Sequence, residues 1–211
     1  MGRRGWLLVF CLVCAPAWCQ EDIVDVLRRS QDMRLQALPL AEADGSRAAT
    51  VRRSFDALLQ AMHPAPSVEL RVIRGPVVAE TLHGHIVVAN ESLADMPESV
   101  RLFILAHELG HAAQQHWLQT ALLYQKWIPG PVTPEHTDPV AGKLGREASA
   151  LAHEQEFAAD AFAARTLQAL GRGDDDLMAV FLQLGVTQDT ATHPATRKRI
   201  ASLRALEPGQ R

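Results

Sequence analysis

Residues 104–116 read ILAHELGHAAQQH, and residues 153–164 read HEQEFAADAFAA. On an α-helix, positions i and i+4 lie about 40° apart, so His107 and His111 project from one face. Glu108 is turned about 100° from His107, beside that face rather than on it. Two imidazoles at this spacing can bind one Zn²⁺, and the carboxylate beside them can take a proton from water. Ile104, Leu105, Ala106, Ala112 and Ala113 suit a buried helix, where unpaired charges would be costly. Gly110 costs a helix interior about 1 kcal/mol relative to Ala. Its presence implies the close approach of another backbone, or room for a site.

A zinc that does chemistry takes three protein ligands and keeps one position open. The cysteines Cys11, Cys14 and Cys19 all lie in the first 19 residues, so the remaining ligand must be a His or a carboxylate. In the second stretch Glu156 and Asp160 are i and i+4 and share a face. Glu156 is read as the third ligand. Asp160 would accept the free ring N–H of a ligand histidine and fix its tautomer. Glu154, His153 and Glu147 are the rivals for the third position. Ala158, Ala159, Ala161 and Ala163 are small enough to let the two helices pack closely.

Working outward, residues 21–45 read as a helix with Ile23, Val24 and Leu27 on one side. A second helix follows Gly45-Ser46, with Val51, Phe55, Leu58, Leu59 and Met62 as one stripe. The run His63-Pro64-Ala65-Pro66 ends it. Val68–Ile73 alternates like a half-buried strand, and His85–Ala89 reads as another. A long helix is expected from a cap at Asp95, with Glu98 three residues on, to about Trp117 and onward to Lys126. On that helix His116 falls about 180° from His107 and reads as a packing or capping residue. Residues 128–140 hold four prolines and read as a loop that could cover a cleft. Further helices are expected at 141–170, 174–184 and after His193-Pro194. His83, His85 and His136 read as turn or surface residues. The order of helices, small sheet and helices makes the fold class α+β and mostly helical.

The remaining features bound the class of protein. The 211 residues are 47% apolar and 21% charged, with a net charge of −3. This excludes a polybasic nucleic-acid binder, a disordered tail and a multi-span membrane protein. Residues 1–19 combine Arg3 and Arg4, a short apolar run from Trp6 to Val13, and small residues at Ala15 and Ala17. That pattern reads as a secretory signal peptide. No later apolar run approaches the ~20 residues a membrane helix needs. An exported chain with no remaining thiol fits a bacterial periplasm, with secretion as the alternative. The expected organisation is a signal peptide at 1–19, N-terminal helices at 20–67 that belong to the core rather than to a propeptide, and a metal-bearing domain at 68–211.

HELGH followed by EFAAD resembles the HtpX-like and CAAX-prenyl-protease family of zinc metallopeptidases. HGHIVVANESL, the position of His116, and THPATRKRI at Thr192–Ile200 extend the resemblance over residues 68–205. It implies a gluzincin-type zincin fold, one Zn²⁺ held by His107, His111 and Glu156, and Glu108 as general base. The expected function is zinc-dependent endopeptidase cleavage of polypeptides, including unfolded envelope proteins. His193 is expected to donate to the oxyanion, to act as a fourth ligand that closes the site, or to be loop structure only. The alternative function is an envelope quality-control chaperone or adaptor whose peptidase site is latched.

Overall fold

In the computed structural model residues 21–205 are described, and the expected signal peptide at 1–19 lies outside the described residues. Helix α1 (Ile23–Ala37) is capped by the Asp22 carboxylate, which accepts from the Asp25 N–H at 2.9 Å. It is shorter than the 21–45 helix expected from sequence. Pro39 disfavours helical geometry at Leu38, and the chain turns extended there. Residues 39–41 then run along the sheet, with Arg74 N–H donating to Pro39 O and Ala41 N–H to Val72 O. Helix α2 (Ser46–Ala61) follows and buries Val51, Phe55 and Leu58, as its stripe predicts.

The sheet has three strands, β1 (Glu69–Ile73), β2 (Ala79–Leu82) and β3 (Ile86–Asn90), in the order β1-β3-β2. β3 pairs parallel with β1 and antiparallel with β2. It is buried along its whole length, which is why IVVAN reads as a continuous apolar run. Val72, Val87 and Ala89 face the main core, formed with α2 and the helices that follow. Ile73, Leu82, Ile86 and Val88 face the other way, under Leu35 and Leu38. β2 is absent from the sequence reading, because AETL carries too little alternation to stand out. Since residues 39–41 cover the outer edge of β1, β2 is the edge strand that matters for the site.

After a 3-10 turn at Glu91–Asp95, α3 (Glu98–Ala113) crosses the centre of the molecule. Every residue from Val100 to Gly110 is buried. Two expectations fail here. Pro97, not Asp95, is the N-cap of α3, and Asp95 lies in the 3-10 turn and pairs with Arg47. The helix also stops at Ala113 and does not run to Trp117. Gln115 adopts left-handed geometry (φ 56°, ψ 38°), and α4 (His116–Trp127) starts in a new direction. The break is stabilised by Gln114, whose side-chain amide donates to Gly110 O at 3.1 Å and to Ala158 O at 3.2 Å.

The 128–140 segment contains a short helix, α5 (Pro134–Thr137), and packs at the start of α1, where Val132 N–H donates to Glu21 O. It does not form the lining of the cleft described below. Helix α6 (Ala141–Ala169) then lies against α3, followed by α7 (Asp174–Leu184) and α8 (Thr196–Ala205). At the α3–α6 crossing a β-carbon on Gly110 would come within 3.1 Å of Phe162 Cβ and 3.2 Å of Ala159 Cα. Gly110 is therefore the residue that lets the two helices touch. Among the described residues, no helix is long and apolar enough to cross a membrane.

Candidate active site

The contact of α3 with α6 brings the two sequence motifs together. His107 Nε2 lies 3.1 Å from His111 Nε2 and 3.5 Å from Glu156 Oε2. His111 Nε2 is 3.4 Å from Glu156 Oε1. The three side chains offer donor atoms within 4.8 Å of one another, a spacing that can hold a metal ion. The donor chemistry fits zinc, with two imidazoles and one carboxylate and no sulfur. Glu156 Oε2 is buried with no hydrogen-bond partner, as expected of an oxygen kept free for a cation. The rival ligands face elsewhere. Glu154 is exposed, His153 Nε2 donates to Thr190 O at 2.8 Å, and Glu147 binds Lys126 and Trp127.

Asp160 is fully buried and lies 3.0 Å from His107 Nδ1. Its other partner is Arg199 on α8, which donates from Nε to Oδ2 at 2.7 Å and from Nη2 to Oδ1. Burial resists charge on this carboxylate, but the Arg199 and His107 hydrogen bonds outweigh it and hold its pKa below the usual range. The same balance applies to Glu156. Burial opposes its charge, while His111, His107 and His193 drive its pKa down. Burial also opposes charge on His107, yet the Asp160 hydrogen bond and nearby carboxylates raise its pKa overall. Arg199 was not singled out from the sequence. Its only signal was its place in THPATRKRI, whose functional contact spans 39 residues of chain.

Glu108 is 8% exposed and turns toward β2. Thr81 Oγ1 lies 2.8 Å from Glu108 Oε2 and also 2.8 Å from the Glu108 backbone oxygen. This partner was missed with the strand that carries it. A cleft of about 350 Å³ opens in front of these groups, lined by Val78, by Ala79 and Thr81 of β2, by Phe103 and Ile104 of α3, and by Leu184 of α7. His193 stands at its rim. Its side chain is 63% exposed, with Nε2 3.9 Å from Glu156 Oε1 and Nδ1 2.9 Å from Thr192 Oγ1.

His116 departs from its expected place. Because the helix breaks at Gln115, its ring does not point away from the His107–His111 pair, and its Nδ1 lies 2.9 Å from His111 Nδ1. Burial and the adjacent His111 and His107 push its pKa down to about 4. The other histidines have local roles. His83 occupies the β2–β3 turn at φ 53° with Asp32 3.0 Å away, His85 is exposed, and His136 Nδ1 bonds Pro131 O.

Residues 139–207 match the model described as peptidase family M48. The matched segment contains Glu156, Asp160, His193 and Arg199 and stops short of the helix that carries His107, Glu108 and His111. Among solved structures the chain is similar to S. mikatae Ste24p, at 16% identity and a TM-score of 0.49. That alignment covers 85% of this chain and 55% of the other, so this chain spans about half the length of that structure. No curated protein matches the sequence.

Proposed function

We propose, from the match of residues 139–207 to peptidase family M48, that the protein is a zinc-dependent metalloendopeptidase. The observation that carries the proposal is the convergence of His107, His111 and Glu156, with Glu108 beside them facing the cleft. His107 Nε2, His111 Nε2 and Glu156 would hold the ion. When bound, Zn²⁺ supplies Lewis-acid polarisation of the scissile carbonyl and acidifies water. Asp160 holds His107 from behind through Nδ1, and Arg199 keeps Asp160 charged in the interior.

Glu108 is the general base. It takes the proton of the attacking water on its carboxylate and later returns it to the leaving amine. Thr81 serves both states of that carboxylate. While Glu108 is ionised, the Thr81 hydroxyl donates to Oε2. Once Glu108 holds the proton, the hydroxyl can turn to the Glu108 backbone oxygen, at the same 2.8 Å, and accept from the carboxyl group. No new partner is needed at either stage.

The substrate is placed along β2. The buried strand β3 is paired on both sides and cannot take another strand. Asn90 N–H donates to Val78 O, so by antiparallel alternation the backbone groups of Ala79 and Thr81 point away from β3. An extended polypeptide can pair there through its main chain. A second cavity of about 330 Å³ lies beyond Thr81 and His111, lined in part by Leu82, Gly84, Trp117 and Tyr124. Space on both sides of the reacting position suits a chain that continues in both directions, hence endopeptidase action. The leader-like residues 1–19 favour substrates among exported or unfolded envelope proteins. His193, at the rim, is placed to contact the substrate carbonyl.

Digestion of casein by the zinc-loaded protein tests this reading. The wild type should cleave, and Glu108→Gln should bind zinc yet lose about 10²–10⁴ in rate, the usual contribution of a general base. A wild type that binds one zinc and cleaves nothing favours the latched adaptor instead. In the same assay His193→Ala should slow turnover, whereas an increase would mark His193 as a closing ligand.

A further inference from the structure

We propose that His116 is the positioning residue of His111. It would act as the neutral acceptor that fixes the tautomer and ring plane of that ligand, as Asp160 does for His107. The inference rests on the metal site proposed above, and its observations are separate ones.

Two ring nitrogens 2.9 Å apart require one donor and one acceptor. His111 Nε2 faces His107 Nε2 and Glu156, so its lone pair belongs to the metal group. The ring proton of His111 then sits on Nδ1, and His116 Nδ1 must accept it. His116 correspondingly carries its own proton on Nε2. The rings meet edge to face, with centroids 4.8 Å apart and planes at 82°, which suits an in-plane N–H···N contact rather than stacking.

The fold invests in this contact. A continuous helix would carry His116 to the far side, about 180° from His107. The left-handed Gln115 redirects the chain, and α4 begins with His116 itself. Gln155 on α6 then secures the position, because its side-chain amide donates to His116 O at 3.0 Å. Gln155 is the neighbour of Glu156, so the third ligand and the anchor of His116 come from one turn of α6. His116 is 5% exposed, and the partner of its Nδ1 is the His111 imidazole rather than a carboxylate.

The two histidines are therefore backed by unlike acceptors. Behind His107 is a carboxylate, itself neutralised by Arg199. Behind His111 is an uncharged imidazole. No second anion is added on that side, and Glu156 remains the one carboxylate ligand of the group.

The test is zinc affinity, measured by competition with a chelator of known affinity. It is compared among the wild type, His116→Leu and His116→Asn, with the thermal midpoint of each metal-free form recorded alongside. Leu removes the acceptor and keeps an apolar fill, whereas the Asn carbonyl can still accept from His111 Nδ1. His116→Leu should bind zinc roughly 10–100-fold more weakly, the usual cost of losing such a partner. It should also release zinc faster to excess chelator. His116→Asn should recover most of the loss. Wild-type affinity in His116→Leu, or His116→Asn no better than His116→Leu at equal metal-free stability, would overturn the assignment of His116 alone. A wild type that takes up no zinc would overturn the metal site and this proposal together.

Discussion

Thr81 shows how much of the site depends on single hydroxyls and rings behind the reacting groups. Its Oγ1 touches both oxygens that Glu108 presents to β2. A hydrogen bond to a charged group contributes about 1.5–3 kcal/mol. Thr81→Val should therefore lower kcat by roughly 10- to 100-fold, with KM and zinc content little changed, and Thr81→Ser should retain most of the rate. Steady-state kinetics on a single peptide checks this. The pattern of His107, Glu108 and His111, and that of Glu156 and Asp160, could be read from sequence because each is local to about one turn of its own helix. Thr81, Arg199 and the role of His116 were not. Each acts across elements, and His116 was misplaced by assuming an unbroken helix through Gln115.

At the scale of elements, the site is the contact of α3 with α6. α3 carries His107, His111 and the proposed base Glu108, α6 carries Glu156 and Asp160, and Gly110 sets the separation of the two helices. A valine at Gly110 would meet Phe162 and the α6 backbone at Ala159. Overpacking of this kind costs about 1–3 kcal/mol. Gly110→Val should reduce the unfolding free energy by that amount in urea titrations and weaken zinc binding, since Glu156 and Asp160 move with α6. A full-length unfolding curve at wild-type stability would mean that the helices adjust freely. Helix existence was readable from the apolar stripes and the Pro and Gly breaks. β2 was not, because four residues with one large apolar side chain leave no periodic signal, and its importance comes from position at the sheet edge.

At the scale of the whole molecule, a bound metal would join α3, in the centre, to α6 and through Asp160 to α8. A ligand bound to the folded form at about 1,000 times its Kd adds roughly 4 kcal/mol of stability. For a domain of this size each kcal/mol moves the thermal midpoint by about 2–4 °C. Chelation should therefore lower the midpoint by roughly 8–16 °C under such saturation, read by calorimetry with and without chelator. Cleavage should also extend to peptides blocked at both ends, because the β2 edge and the two cavities beside it leave room in both directions. The division into N-terminal helices and a metal-bearing domain was drawn from the Pro break at 63–66 and from the motifs that follow it. In the fold α2 contributes Val51, Phe55 and Leu58 to the same cluster as α3. We therefore propose that residues 20–67 are a permanent part of the peptidase.

The claim on which the rest depends is that His107, His111 and Glu156 hold one zinc ion. Anomalous diffraction at the zinc edge from crystals of the zinc-loaded protein tests it most directly. A single peak per chain is expected at about 2.0–2.2 Å from the two Nε2 atoms and a Glu156 carboxylate oxygen, with His116 Nδ1 still within hydrogen-bond reach of His111. A peak bound elsewhere, or one at this position with Glu156 turned away, would contradict it.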